Sequence, residues 1–174
     1  MIIWIISFII LLLAKDIGVL LADLNSKAPN FNLEGSDGKK HSLKEFSGKC
    51  LVLYFYPRDD TPGCTIEAKG LTSKIDQIHD LGAEVVGISN DDVASHNKFC
   101  SKYGLKVLLL SDPTSEVIKS YDSYGSRGVF GVGTLRKTFI IDKRGKIAKI
   151  FEKVKPEGHE DEVILAIKEI ENRG

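Results

Sequence analysis

The residues with the clearest chemical potential lie between Tyr56 and Ala68, in the run YPRDDTPGCTIEA. A single thiol, Cys64, follows Thr61-Pro62-Gly63 at the point where a helix is expected to begin. Pro57 and Pro62 stiffen the loop, and Gly63 lets the backbone turn sharply and approach a ligand closely. At a helix start the first N–H groups lack partners and the dipole favours an anion. A thiol there is held toward its thiolate, which is both a nucleophile and an oxidation target. Thr61, three residues earlier, can aim its hydroxyl at the same point. The competing reading is a buried structural cysteine, the commoner fate of a free thiol. On spacing alone both readings stand.

The other cysteines are Cys50 and Cys100. An odd number does not make a disulfide scaffold, and no CxxC marks a structural zinc site. His96 and Cys100, four apart on an expected helix, are the nearest thing to a metal pair, and a lone pair at that spacing is a weak signal. Cys50 precedes an apolar run and reads as structural. The chain has 174 residues, with 24 Lys plus Arg against 24 Asp plus Glu and a formal net charge of zero. That balance argues against nucleic-acid binding, which calls for a basic excess. With 43% hydrophobic and 28% charged residues, the composition is that of one globular domain with a real core.

The N-terminus departs from this pattern. Residues 1–14, MIIWIISFIILLLA, are apolar except for Ser7, and a second apolar piece runs from Ile17 to Ala22 after Lys15-Asp16. The run suits a signal peptide or a membrane anchor. Against this, no Lys or Arg precedes it, Leu20 stands where a small residue is wanted before cleavage after Ala22, and a single spanning helix would bury Lys15-Asp16. Residues 1–23 are therefore set apart as a signal, an anchor or a misassigned start. Residues 24–174 are read as one domain.

Within that domain, Phe31 to Ser42 has extended pieces around the turn residues Ser36-Asp37-Gly38, a hairpin signature. The continuous apolar run Leu51 to Tyr56, LVLYFY, suits a central strand buried on both faces. Ala68, Leu71, Ile75 and Ile78 recur at helical spacing, and Leu81-Gly82 ends that helix. Glu84 to Ser89 follows as a strand. Asn90 is the expected cap of a helix that carries Val93, Phe99, Cys100 and Tyr103 and stops at Gly104. A strand at Val107–Leu110 and a short helix at Glu116–Tyr121 come next. Strands at Lys137–Ile141 and Lys146–Phe151 flank the turn Asp142-Lys143-Arg144-Gly145. Val163, Ile164, Ile167 and Ile170 line a final helix. Strands alternating with helices give an α/β domain: a mixed central sheet flanked by helices, with an N-terminal β-hairpin. The central strand delivers Cys64 to the sheet's carboxyl end, where such folds place their sites.

The segment YFYPRDDTPGCTIEA resembles the active-site segment of the peroxiredoxins, and most closely that of the bacterioferritin comigratory protein or peroxiredoxin Q subfamily. KAPNFNLEGSDGKKHSLKEFSGK before it and RKTFIIDKRGKI after it agree in order, so the resemblance covers the chain from about Leu24 on. It implies a thioredoxin-like fold of the peroxiredoxin type that reduces hydrogen peroxide and organic hydroperoxides, with no cofactor or metal. It adds nothing about residues 1–23.

The resemblance makes Cys64 the peroxidatic thiolate that becomes a sulfenic acid. It gives Thr61 a hydrogen bond to the peroxide, Arg136 a charge that favours the thiolate, Pro57 a shielding role, and Glu67 the orientation of an arginine. Many subfamily members carry a resolving cysteine five residues beyond the first, where this chain has Lys69. Cys100 matches the resolving position of a second group, which implies a Cys64–Cys100 disulfide and local unwinding to form it. Thioredoxin is the implied reductant, a monomer the implied state, and a bacterial-type cytoplasm the implied location unless residues 1–23 anchor or export the chain. A membrane-tethered thiol–disulfide oxidoreductase would want CxxC where Cys64-Thr65-Ile66-Glu67 stands. A non-enzymatic peroxide sensor is the other alternative.

Overall fold

The computed structural model describes residues 22–173. The apolar stretch 1–21 lies outside them, and with it the expectation of a signal or anchor. Among the described residues no helix is long and apolar enough to cross a membrane.

The fold is organised around strand β3 (Cys50–Phe55), every residue of which is buried. Its neighbours explain why the sequence there is apolar without alternation. Val52, Tyr54 and Tyr56 point into one apolar layer, and Leu51, Leu53 and Phe55 point into the other. A strand covered on both faces has no polar side to show. β3 pairs in parallel with β4 (Ala83–Ser89), which pairs in parallel with β5 (Leu108–Ser111). On its other side β3 runs antiparallel to β8 (Lys137–Ile141), and β8 to β9 (Ile147–Phe151). The N-terminal hairpin of β1 (Asn32–Gly35) and β2 (Lys40–Ser42) completes the far edge, giving a seven-stranded sheet in the order β2-β1-β5-β4-β3-β8-β9. This is the expected mixed sheet with its hairpin.

Helices α1 (Pro62–Ser73), α2 (Ile75–Asp80), α3 (Val93–Tyr103) and α5 (His159–Glu171) supply Cys64, Ala68, Leu71, Ile75, Ile78, Phe99, Val163 and Ile167 to the first apolar layer. The second is closed by Ile118 of α4 (Glu116–Ser120) with Tyr121, Phe31 and Ile147. Phe55, Tyr121 and Phe139 form an aromatic cluster there, with centroids 5.2 to 5.7 Å apart.

Several sequence expectations need correction. The helix read as continuous through Ile78 is two helices, because Lys74 leaves helical geometry at φ −107°, ψ 5°. The apolar spacing survives the break since Ile75 and Ile78 still face the sheet. Asn90 does not cap α3; Asp92 does, its carboxylate accepting from Ser95 N at 2.8 Å. Asn90 instead donates to the Asp112 carbonyl at 2.9 Å and accepts from Thr134 Oγ1 at 2.7 Å. A two-stranded ribbon of β6 (Tyr124–Ser126) and β7 (Val132–Thr134) was not anticipated. Its tripeptides, each with a central glycine, are too short to show a period.

The chain enters beside the start of β9, where Asn25 N donates to the Ile147 carbonyl at 2.8 Å and Ala28 N to the Gly145 carbonyl at 2.9 Å. Ile141 pairs with Leu51 at the beginning of β3, so this entry lies at the pole of the sheet opposite the end of β3.

Gly87 on β4 is required by the layer beneath the site. A Cβ there would meet Tyr54 Cζ at 2.6 Å and Leu109 Cδ2 at 2.8 Å. Gly87→Ala should therefore cost about 1–3 kcal/mol by overpacking, read as a lower denaturant midpoint with an unchanged slope.

Candidate active site

The end of β3 hands the chain to a loop, Pro57 to Thr61, and then to α1. Thr61 is the N-cap residue, extended at φ −89°, ψ 154°, and Pro62 takes the first helical position, where its missing N–H costs nothing. Cys64 is thus in the first turn of α1, as expected, and is 2% exposed. Glu67 lies one turn on along the same helix face and is buried as well.

Arg136 reaches this turn because of strand register. Lys137 opens β8 opposite Phe55, the last residue of β3, so the residue before it stands over the start of α1. The guanidinium divides its donors. Nη2 donates to Cys64 Sγ at 3.3 Å, and Nη1 donates to Glu67 Oε2 in a close ion pair. Gly63 permits this approach, since a Cβ there would stand 3.1 Å from Arg136 Nη2 and 3.4 Å from Pro156 Cγ. Burial works against the Arg136 charge, but the Glu67 carboxylate and the Cys64 sulfur outweigh it and raise its pKa above the ordinary arginine value.

Glu67 is the strained member of the set. Its side chain is 0% exposed and its Oε1 has no hydrogen-bond partner. Burial pushes its carboxyl up to about 7, and Arg136 restores only part of the loss. Tyr54 lies close by, with a buried hydroxyl that is also unpartnered. Burial first, then the Glu67, Cys100 and Cys64 charges, push that hydroxyl well above its usual range.

Thr61 uses its hydroxyl differently from the expectation that it aims at the sulfur. Oγ1 donates to the Arg58 carbonyl at 2.9 Å, which leaves its lone pairs free to accept. Pro57 is half-buried in the loop. Cys100 lies in the last turn of α3, half-buried against the same apolar layer as Cys64, and all three cysteines are free thiols. Burial raises the Cys100 thiol above its ordinary range; the Ser36 hydroxyl opposes this and the Asp59 carboxylate adds to it. Cys50 is buried at the start of β3 and pushed up to about 12 by burial, far from ionising.

His96 is buried with its Nε2 unpartnered. Its Nδ1 is 2.8 Å from Asp59 Oδ2, and both side chains are buried. Asp59 also accepts from Tyr56 Oη at 2.7 Å and from Ser95 Oγ at 2.8 Å. Sequence reasoning passed over this cluster. The paired acids Asp59-Asp60, in a loop whose other residues are Pro57, Arg58 and Thr61, were the available signal.

The raised Glu67 carboxyl makes a pH prediction. Glu67 binds its proton more tightly folded than unfolded, so its contribution to stability is complete below the ordinary glutamate value of 4.5 and lost as pH rises toward about 7. Denaturant midpoints across this window should fall with pH in the wild type, by up to about 3 kcal/mol of stability, and less steeply in Glu67→Gln.

Comparison with known proteins agrees with this geometry. The family model described as AhpC/TSA family matches residues 24–150. A Helicobacter pylori peroxiredoxin of the bcp type is 43% identical over 148 residues, covering 83% of this chain and 97% of its own. A solved cysteine-to-serine mutant of Xylella fastidiosa PrxQ superposes with a TM-score of 0.81 at 31% identity, over 84% of this chain and 96% of its own. The bacterioferritin comigratory protein of Xanthomonas campestris gives a TM-score of 0.76 at 33% identity, over 80% and 90%, in a structure titled for its alkyl peroxide reduction activity. The Xanthomonas peroxiredoxin Q has also been solved with either of two cysteines, 36 positions apart, replaced by serine. A first-turn cysteine held by a strand-end arginine, on a thioredoxin-like sheet matched along most of its length, makes this chain a peroxiredoxin of the AhpC/TSA family, of the Bcp and peroxiredoxin Q kind.

Proposed function

We propose that this peroxiredoxin, a thiol peroxidase, reduces hydrogen peroxide and organic hydroperoxides through Cys64, with Cys100 resolving the oxidised enzyme and thioredoxin restoring it. The observation that carries the proposal is the Arg136 guanidinium, donating to Cys64 Sγ at 3.3 Å while Glu67 fixes its other edge. A permanent cation beside the sulfur, added to the free N–H groups of the first turn, favours the thiolate over the thiol. The alkyl peroxide activity named for the Xanthomonas relative supports the wider substrate range.

The thiolate attacks the terminal peroxide oxygen, the O–O bond breaks, and Cys64 becomes a sulfenic acid as the alkoxide or hydroxide takes up a proton and leaves as alcohol or water. Thr61 Oγ1, its own proton engaged by the Arg58 carbonyl, accepts the hydroperoxide O–H and orients the chain of reacting atoms. Arg136 then faces the negative charge that grows on the departing oxygen. Pro57 shields the approach, and Glu67 holds the arginine.

In the second step the Cys100 thiol attacks the sulfenic sulfur. An S–S bond forms, the S–O bond breaks, and the thiol proton leaves with the hydroxyl as water. The Cys64–Cys100 separation of 36 equals that of the two cysteines replaced in the Xanthomonas structures, which supports this pairing. Cys64 is buried in a formed helix turn, so the two segments must unwind locally to bridge. Exchange with the thioredoxin dithiol returns both thiols. Both cysteines belong to one chain and one apolar layer, which suits a monomer as the working unit. Residues 24–174 form the catalytic domain, and residues 1–23 are a signal peptide, a membrane anchor or a misassigned start. The cellular role is protection against oxidative damage.

The test is peroxide consumption with thioredoxin and its reductase, or with dithiothreitol. Cys64→Ser should be inactive with both donors. Cys100→Ser should fail with thioredoxin and retain turnover with the small thiol; equal thioredoxin-supported rates in Cys100→Ser and wild type would remove Cys100 from the cycle. Arg136→Ala should lower the second-order rate with peroxide by about a hundredfold or more. A single stoichiometric burst in the wild type would favour a sensor over an enzyme.

A further inference from the structure

The loop that carries Thr61 toward Cys64 is fastened to α3 at two places, one on each side of Cys100. The first is buried. Asp59 receives Ser95 Oγ, His96 Nδ1 and Tyr56 Oη at 2.7 to 2.8 Å, and its backbone N–H donates to Asp91 Oδ2 at 2.9 Å. Asp59 and His96 have side chains 4% and 0% exposed, so parting them would strand charge and polar atoms away from water. The second fastening is open to solvent. Lys102 Nζ donates to Asp60 Oδ2 at 2.8 Å and Oδ1 at 3.0 Å, and Tyr103 Oη donates to Oδ1 at 2.6 Å. Lys102 and Asp60 are 57% and 44% exposed, where an ion pair is weakly held.

Cys100 sits between the two. Its carbonyl receives both the Gly104 and the Leu105 N–H groups, which makes it part of the terminal turn of α3. Helix ends fray most readily, and here that turn is held down through Lys102 and Tyr103. Asp60 is itself in the left-handed region, at φ 57°, a conformation asparagine and aspartate tolerate best and one that its contacts help maintain.

We propose that Asp60, Lys102 and Tyr103 form a catch on the last turn of α3, and that its opening, pivoting on the buried Asp59–His96 contact, sets how fast Cys100 reaches oxidised Cys64. The inference rests on the roles assigned to those two cysteines above. While the catch is closed, the sulfenic acid waits beside Arg136 and can meet a second peroxide, which would transfer an oxygen to it, giving a sulfinic acid and water or alcohol. Opening the catch diverts it to the disulfide. Lys102 and Tyr103 are positioning residues: their polar atoms bond to Asp60 and not to either sulfur, and they govern the second step without entering the first.

Rapid-quench kinetics with thiol trapping and peptide mass spectrometry separates the steps. In Lys102→Ala/Tyr103→Phe, the oxidation of Cys64 by peroxide should stay within about twofold of wild type. Disulfide formation should be about fivefold faster, as expected for loss of an exposed charged contact. Less sulfinic acid should accumulate at high peroxide. Raising ionic strength should speed disulfide formation in the wild type and not in the double variant. Asp60→Asn, which keeps the backbone preference and the Tyr103 contact, should fall between, and it decides the matter if the double variant does not fold. A wild type that forms the Cys64–Cys100 disulfide at the same rate as these variants would overturn the catch alone. A wild type that forms no such disulfide would overturn the assigned cysteine roles and the catch with them.

Discussion

Everything at this site turns on one guanidinium placed between a carboxylate and a sulfur. Arg136 cannot give up its charge, and its flat fork, at the end of a long side chain, lets it address Cys64 and Glu67 together. Glu67 suffers for the arrangement, buried and with one oxygen unpartnered. A carboxylate in that position is a poor contributor to stability, and its presence makes sense as an anchor that prevents the arginine from swinging out to solvent. The first turn of α1, the register of β8 and the bare backbone of Gly63 are all needed for this contact to exist.

The sheet supplies the precision. Because β3 is covered on both faces and paired on both edges, its last residue is among the best-fixed points in the molecule. From that point one connection leads into α1 and Cys64, while the neighbouring strand presents Arg136. Two residues distant in sequence are brought together by a single rung of pairing, Phe55 with Lys137. The helices then divide the two thiols: α1 carries Cys64 in its first turn, and α3 carries Cys100 near a frayable end.

Much of this was legible in the sequence, for identifiable reasons. LVLYFY suits a central strand because no charged residue interrupts it and its length is a strand's, and TPGC suits a helix start because proline fits the first helical position. Arg136 was visible only through resemblance, since an arginine at a strand end has no local pattern to distinguish it. The break at Lys74 was hidden because the apolar spacing runs through it undisturbed. Asn90 was a credible cap, displaced by Asp92 because the asparagine is engaged by Asp112 and Thr134 across the sheet end. Such long-range partners are invisible to any local rule. The Asp59–His96 contact belongs to the same class, whereas the β6–β7 ribbon was hidden by strands too short to show a period.

The chain joins the domain beside Ile147, at the end of the sheet remote from Cys64. That polarity governs how the protein behaves when held by its N-terminus. A bilayer, a fusion partner or a chip surface attached upstream of Ala22 would lie behind the domain, and the Cys64 end of the sheet would face the medium. Immobilisation from that end leaves the first turn of α1 uncovered, whereas a bulky addition on the far side would stand over it.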